Sequence, residues 1–259
     1  LVTSSSPDQR PKAAQPGTTT DAFLGGRVQV CQPREGFRAG LDSVMLAAAI
    51  PAKSGDTVCD LGAGVGTASL CLAARVGGLH ITTVEIDDQL AALAQANAER
   101  NAHAQSFHVM TADVLKRPRA IPRQSFKHVL TNPPYHDIAR GTRAPATAKA
   151  RATSSHMSDL IAWLRFARAI AHPQGTVTAI LPPEQIPQAL QALSPEGQGV
   201  EIIPLWSKQG APAKRVIIRV RINARAPLLI QPGLVLHRPD GKPTEEAEAV
   251  LRHAAALTT

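Results

Sequence analysis

The sequence predicts an open, mostly parallel α/β sheet within one domain. Three observations carry that reading. Short apolar segments alternate with helical periods between residues 55 and 181, the pattern of strands joined by crossover helices. A glycine-rich turn, Asp60-Leu-Gly-Ala-Gly-Val-Gly66, joins the first of these strands to the helix after it. Near the C-terminus, two strand-like segments with a short connection fit an antiparallel pair at the sheet edge.

The elements follow in order. Residues 1–20 are rich in Ser, Thr, Pro, Gln and Gly. They lack hydrophobic periodicity and read as a disordered leader, so order is expected to begin near Asp21. Gly55 to Leu61 is a short buried strand. Thr67 to Val76 is an Ala-rich helix closed by Gly77-Gly78. His80 to Glu85 is a second strand, and Asp87 to Asn101 a helix that Asp87 and Asp88 cap and favour through its dipole. Phe107 to Met110 and Phe126 to Thr131 are further strands. Ser158 to Ala171 is a long helix carrying Leu160, Ile161, Trp163, Leu164, Phe166 and Ile170. Thr176 to Leu181 is a strand, and Val200 to Leu205 with Arg215 to Ile222 form the antiparallel pair. Glu245 to Ala256 reads as a closing helix. No repeat or strong linker interrupts residues 21–259, which are taken as one domain.

Composition narrows the class. Hydrophobic residues are 44% of 259 and charged residues 19%, enough for a real core. Aromatics are only 3%, so that core rests on Ala, Leu, Val and Ile. No apolar run approaches the ~18 residues of a membrane span, and Leu1 to Thr20 lacks a signal-peptide core. Cys31, Cys59 and Cys71 form no C-x-x-C, which argues against a disulfide framework and a Cys-rich zinc site. No metal is expected, and the class left is a cytoplasmic globular protein. Lys plus Arg is 28 against 20 for Asp plus Glu, a net +8. That balance suggests a polyanionic partner, nucleic acid first; charge alone leaves a basic protein without such a partner equally open.

The glycine turn lets the backbone bend sharply and approach a ligand, with free N–H groups at the helix start beyond it. A dinucleotide fingerprint, G-x-G-x-x-G, fails because its third glycine would fall at Thr67. The pattern present, D-x-G-x-G-x-G, resembles the first motif of class I methyltransferases that use S-adenosylmethionine. Glu85, ending the next strand, can accept hydrogen bonds from both ribose hydroxyls of an adenosine ligand. The resemblance implies that Asp113, after the third strand, lies beside the adenine amino group. Either acid alone more commonly caps a helix or sits in solvent. The ordered set after a glycine turn points to adenosine-cofactor binding.

Thr131-Asn-Pro-Pro-Tyr135 follows the fourth strand. Pro133 and Pro134 fix φ and remove two donors, leaving carbonyls free of regular pairing. The Asn132 side-chain oxygen and the Pro133 carbonyl could accept two hydrogen bonds from one planar NH₂. Such acceptors favour the pyramidal, nucleophilic form of an amine whose lone pair is otherwise delocalised. Tyr135 offers a face for base stacking, worth ~1–3 kcal/mol. A rigid strand-end turn is the plainer reading of N-P-P. Next to the glycine turn, catalysis by Asn132, Pro133, Pro134 and Tyr135 is the better one. N-P-P-Y resembles the amino-methyltransferase signature shared by adenine N6, guanine N2 and protein glutamine N5 enzymes, so it implies a reaction and not a substrate.

Flanking segments narrow the family. Arg38-Ala-Gly-Leu-Asp-Ser-Val-Met-Leu46 resembles the G-x-D-x-x-L-L segment of bacterial tRNA adenine N6-methyltransferases. Leu181-Pro-Pro-Glu-Gln-Ile186, Leu234 to Gly241 and Thr244-Glu-Glu246 add local likeness. The resemblance extends from about Asp21 to the C-terminus. It implies a Rossmann-like class I fold with a mostly parallel seven-stranded sheet and an antiparallel edge strand. It also implies S-adenosylmethionine as cofactor and adenine N6 of an RNA, tRNA near the anticodon, as target. The implied cofactor set is Gly40, Asp42, Asp60, Gly62, Ala63, Gly64, Gly66, Glu85, Ile86, Asp113, Val114 and Asn132. Without the family, Asp42 reads as the cap of a helix over Ser43 to Ile50.

The segment after Tyr135, His-Asp-Ile-Ala-Arg140, lacks a second aromatic that relatives often carry, so stacking rests on Tyr135 with Phe37 or an Arg plane. Between His136 and His156, Arg140, Arg143, Lys149 and Arg151 stand against one acid, Asp137. A loop that long is usually functional or mobile; this one reads as a flap binding RNA phosphates and, on its own, equally as a solvated loop. Arg215, Arg219 and Arg221 would extend the basic surface, although charges on an edge strand also protect against aggregation. A protein glutamine methyltransferase explains N-P-P-Y but not the basic flap. A non-catalytic RNA-binding module does not explain the intact glycine turn.

Overall fold

The computed structural model describes residues 17–36, 38–134 and 146–257, with the backbone alone over 146–157. The chain opens with a hairpin, β1 (Thr18–Phe23) and β2 (Val28–Pro33), followed by α1 (Leu41–Ala49). Then come β3 (Thr57–Leu61), α2 (Thr67–Arg75), β4 (His80–Glu85), α3 (Asp88–Arg100), β5 (Phe107–Thr111) and β6 (Phe126–Thr131). The second half holds α4 (Ala146–Ile170), β7 (Ala171–Leu181), α5 (Ile186–Leu193), β8 (Val200–Lys208) and β9 (Ala213–Arg221). Two short strands, β10 (Leu229–Ile230) and β11 (Leu234–His237), precede α6 (Glu245–His253).

The main sheet runs β10-β8-β9-β7-β6-β3-β4-β5, with β11 also paired to β8. Strands β3 to β7 are mutually parallel, and β9 runs against both β7 and β8. The seven long strands are those the class I fold requires. The antiparallel pair is not the edge, however: β10 and β11 add parallel to the far side of β8. These additions are two and four residues long, too short to leave a strand signature.

Alternation along each strand feeds two cores. Val58 of β3 and Leu130 of β6 pack with Leu46, Leu70 and Leu93 of α1, α2 and α3. Cys59, Leu61 and Val129 face the opposite way, onto Leu160 and Leu164 of α4 and Leu193 of α5. Both faces of the parallel strands are therefore covered, which is why they read as short apolar runs. No helix among the described residues is long and apolar enough to cross a membrane.

Two sequence expectations need correction. β1 opens at Thr18, ahead of the expected onset at Asp21, inside a Thr-rich stretch with no hydrophobic signal of its own. The hairpin is held instead by two side-chain amides four residues apart, Asn97 on α3 and Asn101 at its C-cap. Asn97 Oδ1 accepts from the Cys31 N–H (2.8 Å) and its Nδ2 donates to the Cys31 carbonyl (2.9 Å). Asn101 repeats that exchange with Gln29, at 2.9 and 2.8 Å. Each amide thus stands in for the peptide of a missing neighbouring strand. Second, α4 begins at Ala146, so the stretch 146–156 expected as loop is helix. Its Ala-rich sequence favours helix by propensity but has no apolar stripe to announce it.

Candidate active site

The site gathers at the carboxyl ends of β6, β3, β4 and β5, which are neighbours in that order. Ligands bind at this edge in open α/β sheets. Beyond β3 the chain folds back so that the N–H groups of Gly62 and Ala63 both donate to the Val84 carbonyl, at 2.8 and 3.1 Å. Gly62 has φ +71° there, a left-handed conformation, and an added Cβ would lie 2.9 Å from Cζ2 of Trp163. Gly66 caps α2 with φ +83°.

Glu85 closes the turn electrostatically. One carboxylate oxygen accepts from the Gly64 N–H (2.8 Å), and the other from Ile86 and Asp87 (2.8 and 3.1 Å). Asp60 lies beneath, buried, and accepts from the Ser69 hydroxyl at 2.7 Å. Burial pushes its carboxyl up to about 7; the Ser69 hydrogen bond pulls the other way, and the Glu85 charge adds to the rise.

Asn132 directly follows β6. Its Oδ1 is buried and has no hydrogen-bond partner among the described residues. An unsatisfied buried carbonyl is costly, on the order of 1–3 kcal/mol. Asn132 lines a cleft shared with Ala39, Ser43, Asp60, Gly62 and Gly64. The cleft thus brings together the glycine turn, Asn132 and the start of α1.

The remaining candidates separate. Gly40 sits at the N-cap of α1, with open space where a Cβ would be. Asp42 lies in the first turn of α1, and its Oδ2 accepts from Arg215 Nε at 2.9 Å. Asp113 caps the 3₁₀ turn Val114–Lys116 by accepting from the Leu115 N–H (2.9 Å). Val114 is buried in the α4-side core. Ile86 is 63% exposed, an apolar side chain standing free beside the Glu85 carboxylate. Pro133 is buried and Pro134 exposed. Phe37, Tyr135, Arg140 and Arg143 lie outside the described residues, as do the side chains of Lys149 and Arg151.

Two expected basic contacts are instead structural. Arg219 pairs with Glu201 and donates to the Ala49 carbonyl at the end of α1, while Arg215 holds Asp42 at its start. Of the three arginines read as extending the basic surface, Arg221 is the exposed one.

Trp163 is the residue that motif reading passed over. Its indole N–H donates to Thr131 Oγ1 (2.9 Å), whose hydroxyl donates to the Leu61 carbonyl (2.8 Å). One side chain on α4 thereby braces both the glycine turn and the strand end bearing Asn132. Asn97 was also missed, and it too touches the turn, donating to the Val65 carbonyl at 3.0 Å. Two amides four residues apart in the apolar stripe of a helix are the signal that could have revealed the α3 contacts.

The sheet order and the glycine turn define a class I S-adenosylmethionine-dependent methyltransferase. Comparison with known proteins agrees. Residues 38–155 match the family model of the methyltransferase small domain. A tRNA1(Val) (adenine(37)-N6)-methyltransferase of Shewanella baltica is 32% identical over 184 residues, covering 70% of this chain and 76% of that protein. One from Dickeya chrysanthemi is 26% identical over 92% of this chain and 95% of that one. Among solved structures, a predicted O-methyltransferase from Agrobacterium tumefaciens shares the fold, with TM-score 0.70 and 24% identity over 84% of this chain and 99% of that one. This chain belongs to the tRNA1(Val) (adenine(37)-N6)-methyltransferase family.

Proposed function

We propose that this enzyme, acting as a single methyltransferase domain, methylates the exocyclic N6 of an adenine in RNA. The substrate named for its relatives, adenine 37 of tRNA1(Val), is the specific target. The observation that carries the reading is the orphaned Asn132 Oδ1. A buried acceptor beside a cofactor turn is matched by a donor that arrives with substrate, and an adenine NH₂ is such a donor.

The residues at the glycine turn and at the ends of β4 and β5 have the chemistry to hold S-adenosylmethionine. Glu85 would receive the ribose hydroxyls, Ile86 would cover an adenine face, and Asp113 with the Val114 N–H would meet the adenine edge. The backbone of Gly62, Ala63, Gly64 and Gly66 would approach the amino-acid portion, together with Gly40, Asp42 and Asp60. When bound, the cofactor supplies an electrophilic methyl group on a sulfonium.

Asn132 Oδ1 and the Pro133 carbonyl would accept from the two N6 hydrogens and hold the nitrogen in its pyramidal, nucleophilic form. The methyl group the cofactor would supply leaves N6 with one extra proton, which would pass to solvent. No strong base is required to start. Pro133 and Pro134 keep the turn stiff, and Tyr135 stacks on the extruded base. Arg140, Arg143, Lys149 and Arg151 contact phosphates.

The test is incubation with radiolabelled S-adenosylmethionine and total tRNA from cells lacking the enzyme, followed by nucleoside analysis. Label in N6-methyladenosine is expected. Asn132→Ala should lower turnover by about 100-fold or more while still binding S-adenosylhomocysteine. Undiminished turnover in that variant, or label in N2-methylguanosine, overturns the reading.

A further inference from the structure

The net charge of this chain divides into two kinds of cation. Arg38 is tied to Asp21, Arg215 to Asp42 and Arg219 to Glu201, and Arg75 donates to the Ala47 and Ile50 carbonyls at the end of α1. A different set lies between β5 and β6. Lys116, Arg117, Arg119 and Arg123 are all exposed, and no acid occurs from Val114 to Ser125. Apart from a 3.7 Å approach of Lys116 to Asp113, these four make no ion pair among the described residues.

This segment is irregular but firmly held. Val114 and Ile121 are buried in the core formed by Leu160 and Leu164 of α4. The N–H groups of Gln124 and Ser125 donate to the Ala169 and Ile170 carbonyls at the end of α4, at 3.1 and 2.9 Å. Pro118 and Pro122 stiffen what lies between. The strap therefore lies along α4, whose own Arg165 and Arg168 are exposed and likewise make no ion pair among the described residues. Six cations share this part of the surface. It starts at Asp113, on the cofactor edge, and continues on the helix that follows the Asn132 segment.

We infer that the strap Lys116–Arg123 and the outer face of α4 form a preformed phosphate-binding surface for the RNA substrate, separate from the segment after Tyr135. The inference rests on the proposed RNA methylation. Like charges held on a stiff backbone repel one another, and a polyanion relieves that repulsion while releasing its counterions. The order of the strap means that little conformational entropy is lost on binding.

The experiment compares two double variants of the full chain with equal charge change. Arg119→Glu/Arg165→Glu alters the strap and α4. Arg238→Glu/Lys242→Glu alters exposed cations beyond β8, at the opposite edge of the sheet. Total tRNA affinity is measured by anisotropy across a salt series, alongside S-adenosylhomocysteine affinity and methylation at saturating tRNA. The strap pair should bind tRNA about 10-fold or more weakly, with a log–log salt slope shallower by about 2. Its cofactor affinity and saturated turnover should equal those of the unmodified protein. Equal tRNA affinity and equal slope in the two pairs overturn this inference while leaving RNA methylation intact, as does preferential loss with the Arg238/Lys242 pair. Absence of label in RNA with the unmodified protein overturns the proposed activity and the inference together.

Discussion

Gly62→Ala tests the brace between the glycine turn and α4. The methyl group meets two separate penalties. At φ +71° an L side chain costs about 1–2 kcal/mol. The new Cβ also lies 2.9 Å from Cζ2 and 3.1 Å from Cη2 of Trp163, and overpacking of that kind costs about 1–3 kcal/mol. The total is about 2–5 kcal/mol, or a fall in Tm of roughly 5–15 °C for a chain of this size. Urea unfolding followed by far-UV circular dichroism measures it, with S-adenosylhomocysteine titration reading the turn itself. Trp163→Leu separates the penalties. Alone, it loses the Thr131 hydrogen bond and leaves a cavity, at about 2–4 kcal/mol. Combined with Gly62→Ala it removes the clash and keeps the φ penalty. The double variant should therefore be more stable than the sum of the singles by about 1–3 kcal/mol. Additivity within about 0.5 kcal/mol would refute the claim that the indole is what fills the space at Gly62.

Two further outcomes follow from the buried polar groups. Asn97→Leu removes both bonds to Cys31 and the bond to Val65, and should destabilise the protein by about 3–5 kcal/mol through stranded backbone groups; a loss below about 1 kcal/mol in urea unfolding would show that the hairpin does not depend on this amide. Asp60, with its folded carboxyl near 7 against 3.8 unfolded, holds a proton in the folded state where the unfolded chain has released it. Cofactor-free stability should therefore fall as pH rises from about 4 to about 7 and level off above. Asp60→Asn should flatten that decline, and an unchanged slope in the variant would assign the pH dependence elsewhere.

The parts legible in the sequence are those whose cause is local. β4 and β6 occupy the residues expected of them, because Ile81, Val84, Val129 and Leu130 are buried apolar positions within short runs containing β-branched residues. The helix cap at Asp87 was visible for the same reason: the carboxylate serves the N–H groups two and three residues onward. The glycine turn was legible as a ligand-approaching bend because its spacing is itself the geometry. What escaped depends on partners distant in the chain. The hairpin β1–β2 is held by amides about 70 residues away. Trp163 looks like any core aromatic until Gly62 and Thr131 are placed against it. Arg215 and Arg219 alternate along a strand as solvent-facing cations would, and their partners appear only when α1 and Glu201 of β8 are placed against β9.

That packing also explains why net charge is a poor guide to an RNA surface here. Arg215 and Arg219 stand four residues apart on β9, about 13 Å along a strand. The nine residues of α1 span a similar length, about 13 Å. One arginine meets Asp42 in the first turn and the other meets the Ala49 carbonyl at the last, where the helix dipole favours a cation. The helix so clamped presents Ser43 to the cofactor cleft, so these charges act on the register of the site. The Arg219–Glu201 pair is mostly buried and the Arg215–Asp42 pair only partly so. Salt weakens the second more than the first, and neither is available to phosphate without dismantling the clamp. Among the described residues, the cations that make no such internal contact include those of the strap and the exposed Arg165 and Arg168 of α4.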